Sequence, residues 1–136
     1  MEREARFDGL QARVTDNGWI LTLPDALFTS GKVGLKSDSA GNLNGLVEFL
    51  DTHPGCTVMI EGHTDSSGSE SHNHSFSQRR ADSVQSHLIE HGVHPKRIIA
   101  LGKGESVPVA GNESEMGRRQ NSRVEVILNN PPAAAN

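Results

Sequence analysis

Cysteine is nearly missing from this chain. Cys56 is the only one among 136 residues, which excludes an intrachain disulfide and a thiolate metal cluster. A lone thiol does not fix the redox compartment, since a periplasmic domain can do without disulfides as easily as a cytosolic one. Long apolar runs are missing too. None approaches the roughly 20 residues that span a bilayer, and no charged, apolar, small-residue signal pattern opens the chain. The opening MEREARFDG reads as an internal start, so any export signal or anchor would belong to sequence beyond it. Aromatics make up only 4% and are all Phe or Trp, which leaves Leu, Val and Ile to build the core. Cations are few and dispersed: 13 Lys and Arg stand against 17 Asp and Glu, for a net charge of −4. A nucleic-acid surface that works by counterion release needs many clustered cations, so no nucleic-acid partner is expected.

What is present suits one domain. ARV and WILTL flank the turn signal Asp16-Asn17-Gly18, which predicts a hairpin ended by Pro24. Leu43, Leu46, Val47 and Leu50 fall at helical spacing, with Ser37 or Ser39 as the cap and Pro54-Gly55 as the stop. CTVMIEG alternates as a strand with Val58 and Ile60 on one face. A polar loop over 62–71 then leads into a helix whose apolar stripe is Phe76, Ala81, Val84, Leu88 and Ile89, ended by Gly92. Ile98 to Leu101 and RVEVIL supply further strands, with about one helical turn between them. The predicted class is an α/β sandwich: a small mixed β-sheet with two main helices on one face, in βαβαβ order with an added short helix and strand. Residues 1–12 are expected to form an arm or linker, 13–128 the domain and 129–136 a disordered tail.

Seven histidines invite a metal hypothesis. His87 and His91 stand at i, i+4, but HLIEH places Glu90 beside the second His, where a helical zinc hydrolase wants HExxH. No metal site or cofactor is expected, and His63 is assigned a structural role, hydrogen-bonding loop backbone. The serines of the 66–77 stretch lack a GxSxG elbow, Cys56 reads as a small buried hydrophobe, and GKGES at 102–106 is no phosphate loop. The expectation is a protein that is not an enzyme.

An acid and an arginine remain. Asp65 follows a strand's C-terminal end, where ligands gather in α/β sheets. Arg80 lies in the first turns of the next helix, facing the same edge. An ordinary exposed salt bridge is one reading of the pair. The other is a shallow wet groove, with Asn73 as an amide donor and acceptor, whose carboxylate and guanidinium hold the ammonium and carboxylate of a zwitterionic guest.

At these residues EGHTDSSGSESHNHSFSQRRADSV (61–84) resembles the peptidoglycan-associating segment of OmpA-like C-terminal domains: GHTD, a glycine loop, YN, and S-x-x-RA. GVHPKRI, GKGES with PVA-GN, and GRRQNSRVEV extend the likeness from about Phe28 to the last strand. The resemblance implies a periplasmic, outer-membrane-associated module that binds peptidoglycan through the diaminopimelate of its stem peptide. It implies ammonium binding by Asp65, carboxylate binding by Arg80, and Asn73 beside them. Thr64 and the backbone from Phe28 through Thr29 to Gly31 are implied to line the groove, with Phe76 in it and Arg123 at its edge. The sequence departs from the pattern at His72 (the usual aromatic), Phe76 (the usual leucine) and Ser122 (the usual first arginine). His72 in the groove would make binding change between pH 5 and 8. The expected role is an anchor between an envelope protein and the cell wall, with contact to the membrane only through an absent anchor segment. A periplasmic protein-interaction domain that keeps the fold without wall binding is the alternative, and a His-liganded metal hydrolase a more distant one.

Overall fold

The computed structural model describes residues 10–16 and 18–129. Residues 1–9 of the predicted 1–12 arm, the turn residue Asn17 and residues 130–136 of the predicted 129–136 tail lie outside these, while Gln11 and Ala12 belong to a strand, as does Asn129. Strands β1 (Gln11–Thr15) and β2 (Gly18–Pro24) form the expected antiparallel hairpin. Helix α1 (Ala40–Thr52) leads to strand β3 (Thr57–His63), helix α2 (Glu70–Glu90), strand β4 (Ile98–Gly102), helix α3 (Glu115–Asn121) and strand β5 (Arg123–Asn129). The sheet runs β1-β2-β5-β3-β4, with β3 and β4 parallel and every other pair antiparallel. This is the predicted mixed α/β sandwich, with a third helix.

Alternation decides which face is covered. Leu21, Leu23, Val58, Ile60, Val124, Val126 and Leu128 point to one side and are buried. Leu43, Leu46 and Leu50 of α1 and Ala81, Val84 and Leu88 of α2 meet them there in one cluster. Both main helices therefore cover the same face, and the other face stays open, with Ile99 54% exposed.

Two glycines set how close α2 lies. A Cβ on Gly62 would run into the Ser77 carbonyl, and one on Gly102 into the Gln78 backbone. Gln78 then fastens the helix to β4, donating to the Ala100 carbonyl at 3.0 Å and accepting from the Gly102 N–H at 2.8 Å. The far end of α2 closes as predicted. Gly92 adopts φ +102°, its N–H donates to the Ile89 carbonyl, and the Val93 N–H donates to that of Leu88, the paired bonds of a Schellman ending.

Three expectations of detail need correction. Helix α2 begins at Glu70, capped by Ser69, whose hydroxyl accepts the His72 N–H at 3.1 Å; the polar loop is accordingly shorter. Neither proposed serine caps α1 through its side chain; the Ser39 hydroxyl instead donates to the Leu27 carbonyl at 2.7 Å. Ile89 is 37% exposed and lies outside the apolar stripe.

Candidate functional site

Strand register gathers the site. Pro24 of β2 pairs with Arg123 of β5, and Arg123 pairs with His63 of β3. The end of β2, the start of β5 and the end of β3 thus share one edge of the sheet. The next residues outward, Asp25, Ser122 and Thr64-Asp65, come from remote parts of the sequence and line one cleft of about 360 Å³. His72, Asn73, Phe76 and Arg80 of α2 form its other wall, and Gly31 its lip.

Arg80 lies midway along α2 and is 1% exposed, the largest fully buried side chain among the described residues. A guanidinium taken out of water needs partners on its edges and polarisable surface on its faces. Nε donates to the Lys32 carbonyl at 2.9 Å, and Nη1 donates to Asp25 Oδ1 at 2.7 Å. The Ser122 hydroxyl joins them, 3.5 Å from Nη1 and donating to Asp25 Oδ1 at 3.2 Å. The rings of Phe28 and Phe76 lie 4.4 and 4.7 Å from the guanidinium carbon. The segment around Phe28, Thr29 and Gly31 explains the Lys32 contact. Thr29 and Lys32 close a tight turn, with Gly31 at φ +67°, that presents the Lys32 carbonyl inward. No partner engages Nη2 among the described residues.

Asp65 is held differently. Its Oδ1 accepts the Ser67 N–H at 2.7 Å, while Oδ2 has no partner among the described residues. The Thr64 hydroxyl donates to the Asp65 carbonyl at 2.8 Å, and the Thr64 N–H donates to the Gly104 carbonyl. Asn73 is buried; its amide donates to Glu105 Oε1 at 2.8 Å and, at 3.4 Å, to the Asp65 carbonyl. Thr64 and Asn73 therefore fix the loop that carries Asp65. His72 is exposed at the cleft, its ring centroid 6.0 Å from that of Phe76.

The structure brings Asp65, Arg80, Asn73, Thr64, Gly31 and Phe76 together around this cleft. Phe28 contributes from beneath, as the buried floor under Arg80, and Thr29 is exposed in the turn. Arg123 belongs to another environment. Its donors go to Glu125 at 2.9 Å, the Asn121 carbonyl at 2.9 Å and the Val107 carbonyl at 3.0 Å, and it is 3% exposed. Asp65 and Arg80 are not bonded to each other. Arg80 instead pairs with Asp25, which the sequence reading missed. The available signal was an acid placed directly after the strand-ending Pro24.

Comparison with known proteins adds to this geometry. A model of the OmpA family matches residues 27–122. Outer membrane porin F of Pseudomonas fluorescens is 46% identical over 104 residues, which cover 76% of this chain and 32% of the porin. The chain therefore spans about a third of that relative's length. The solved structure of the peptidoglycan-associated lipoprotein from Burkholderia pseudomallei superposes with a TM-score of 0.72 at 25% identity, covering 79% of this chain and 88% of that one. The cell wall anchor of the T6SS from Pseudomonas aeruginosa does so with a TM-score of 0.80 at 26% identity, covering 88% and 87%.

Proposed function

The chain belongs to the OmpA family, and from that premise we propose that it is a non-catalytic module that binds peptidoglycan without a covalent bond. It would tether a larger protein of the Gram-negative envelope, associated with the outer membrane, to the wall. The names of its relatives, a peptidoglycan-associated lipoprotein and a cell wall anchor, support the wall as partner.

The finer reading concerns the ligand. Its support is one observation: among the described residues Asp65 keeps a carboxylate oxygen without a partner and Arg80 a terminal nitrogen without one, and both line a single cleft without neutralising each other. A diaminopimelate side chain ends in a free ammonium and a free carboxylate. The ammonium would lie against Asp65, with Asp25 adding negative charge nearby. The carboxylate would take Arg80 Nη2, whose plane is already fixed by Lys32, Asp25 and the two phenylalanines. Thr64 and Asn73 position the Asp65 loop, and His72 lies at the rim.

Co-sedimentation with purified diaminopimelate-type sacculi, together with titration of a short diaminopimelate peptide, tests this. Asp65→Ala should weaken binding by about 10- to 100-fold, the equivalent of one charge-assisted hydrogen bond, with an unchanged circular dichroism spectrum. Parent-like sedimentation of that variant would overturn the site. Failure of the parent chain itself to bind sacculi would favour a protein-interaction role.

A further inference from the structure

On the open face of the sheet, on the same strands whose ends carry the cleft but outside the cleft lining, Glu61, His63 and Glu125 offer ligand atoms that all lie within 4.8 Å of one another. Glu61 and Glu125 are directly paired residues of β3 and β5, an arrangement of like charges that destabilises a sheet unless a cation lies between them. Arg123 Nε binds Glu125 Oε2 at 2.9 Å and so answers part of that charge. The remaining carboxylate charge is answered by no other salt bridge to Lys or Arg among the described residues.

The imidazole is the second observation. His63 is 2% exposed, and neither ring nitrogen has a hydrogen-bond partner among the described residues. Nε2 approaches Glu61 Oε1 to 3.5 Å without hydrogen-bond alignment. Leaving both nitrogens of a buried imidazole unsatisfied costs stability, and the loop-backbone bond expected from the sequence is not made. Burial first, then the nearby Arg123 and Lys103 charges, hold the His63 pKa down at about 4 against the pull of Glu125. A ring nitrogen without a proton offers its lone pair to a metal ion.

We propose that Glu61, His63 and Glu125 form a binding site for a divalent transition-metal ion of the zinc class. One imidazole nitrogen with two carboxylates is a donor set that suits such ions, whereas calcium and magnesium prefer all-oxygen shells. Three protein ligands leave further positions to water. The glutamate side chains are 18% and 13% exposed, which gives an ion a path from solvent to the buried ring. Arg123 orients Glu125 and leaves Oε1 for the metal. Bound there, the ion would cross-link β3 to β5 at the edge that also carries Asp65.

Calorimetric titration of the chelator-dialysed chain with Zn²⁺, and absorbance titration with Co²⁺, test the site against Mg²⁺ and Ca²⁺. One equivalent of Zn²⁺ should bind in preference to Mg²⁺ and Ca²⁺ and raise the melting temperature. Glu61→Gln should lower the affinity by at least about tenfold, and His63→Gln should remove the visible Co²⁺ band. A His87→Ala/His91→Ala control should leave both intact. Absence of saturable one-equivalent binding would overturn the site. So would binding that survives Glu61→Gln but disappears in the control. If His63→Gln does not fold, Glu61→Gln decides alone.

Discussion

A guanidinium as buried as Arg80 would destabilise the fold by several kcal/mol if its charge had no answer. Asp25 supplies that answer through Nη1 at 2.7 Å, from a side chain 34% exposed against 2% for the arginine. The partial exposure of the acid reduces what the pair contributes, so removing its charge should cost about 1–3 kcal/mol, below the full value for breaking a buried pair. Asp25→Asn is therefore expected to shift the urea midpoint to lower concentration with an unchanged slope. A midpoint equal to that of the parent would show that solvent alone compensates Arg80. That Arg80 and Asp65 would meet at one edge was legible in the sequence, since the helix that follows the Asp65 loop returns along the same sheet. The burial of Arg80 was not. Asp25 lies 55 residues before Arg80 and Lys32 lies 48 before it, so the surroundings exist only after the sheet has closed. His63 was misread for a similar reason: strand alternation predicts its face, but not the glutamate across β5.

Among the elements, α2 carries one wall of the cleft and depends on how near it lies to the sheet. Gly62 is where β3 touches its backbone, and an added methyl would meet the Ser77 carbonyl, an atom that cannot swing aside. Gly62→Ala should therefore behave as overpacking, costing about 1–3 kcal/mol, and should displace the helix segment that bears Phe76 and Arg80. A thermal melt paired with peptide titration separates the two effects. A fold that melts like the parent would mean that α2 has room to move. The far end of this helix could be read from sequence because Gly92 and Val93 carry a local ending. Its start could not. Glu70 to Ser75 are polar and lack the apolar spacing that marks later turns, because this first part of the helix borders solvent and the cleft. The Ser69 cap was the overlooked sign. Helix α1 was legible for the opposite reason, as Leu43, Leu46 and Leu50 all face the core.

At the scale of the whole molecule, alternation and helical period gave the layers, but the strand order could not be read locally. β5 lies between β2 and β3, and only that placement brings Asp25, Ser122 and Asp65 to one cleft. The cleft is small and open to water, and a guest held there as proposed would make two or three charge-assisted hydrogen bonds worth roughly 1.5–3 kcal/mol each. Lost translational freedom offsets much of that gain, so a free diaminopimelate peptide should bind with a Kd of about 10 µM to 1 mM. A wall presents the same head group at many places, and a second domain on one tether meets it at an effective concentration near the millimolar range. Two copies of the chain joined by a flexible Gly/Ser linker should therefore be retained on sacculi about 100-fold more strongly than one copy. Both should show the same affinity per site for the free peptide. Should single and tandem chains dissociate from sacculi at similar rates, the wall must offer each domain contacts well beyond the head group, and anchoring would come from one extended interface.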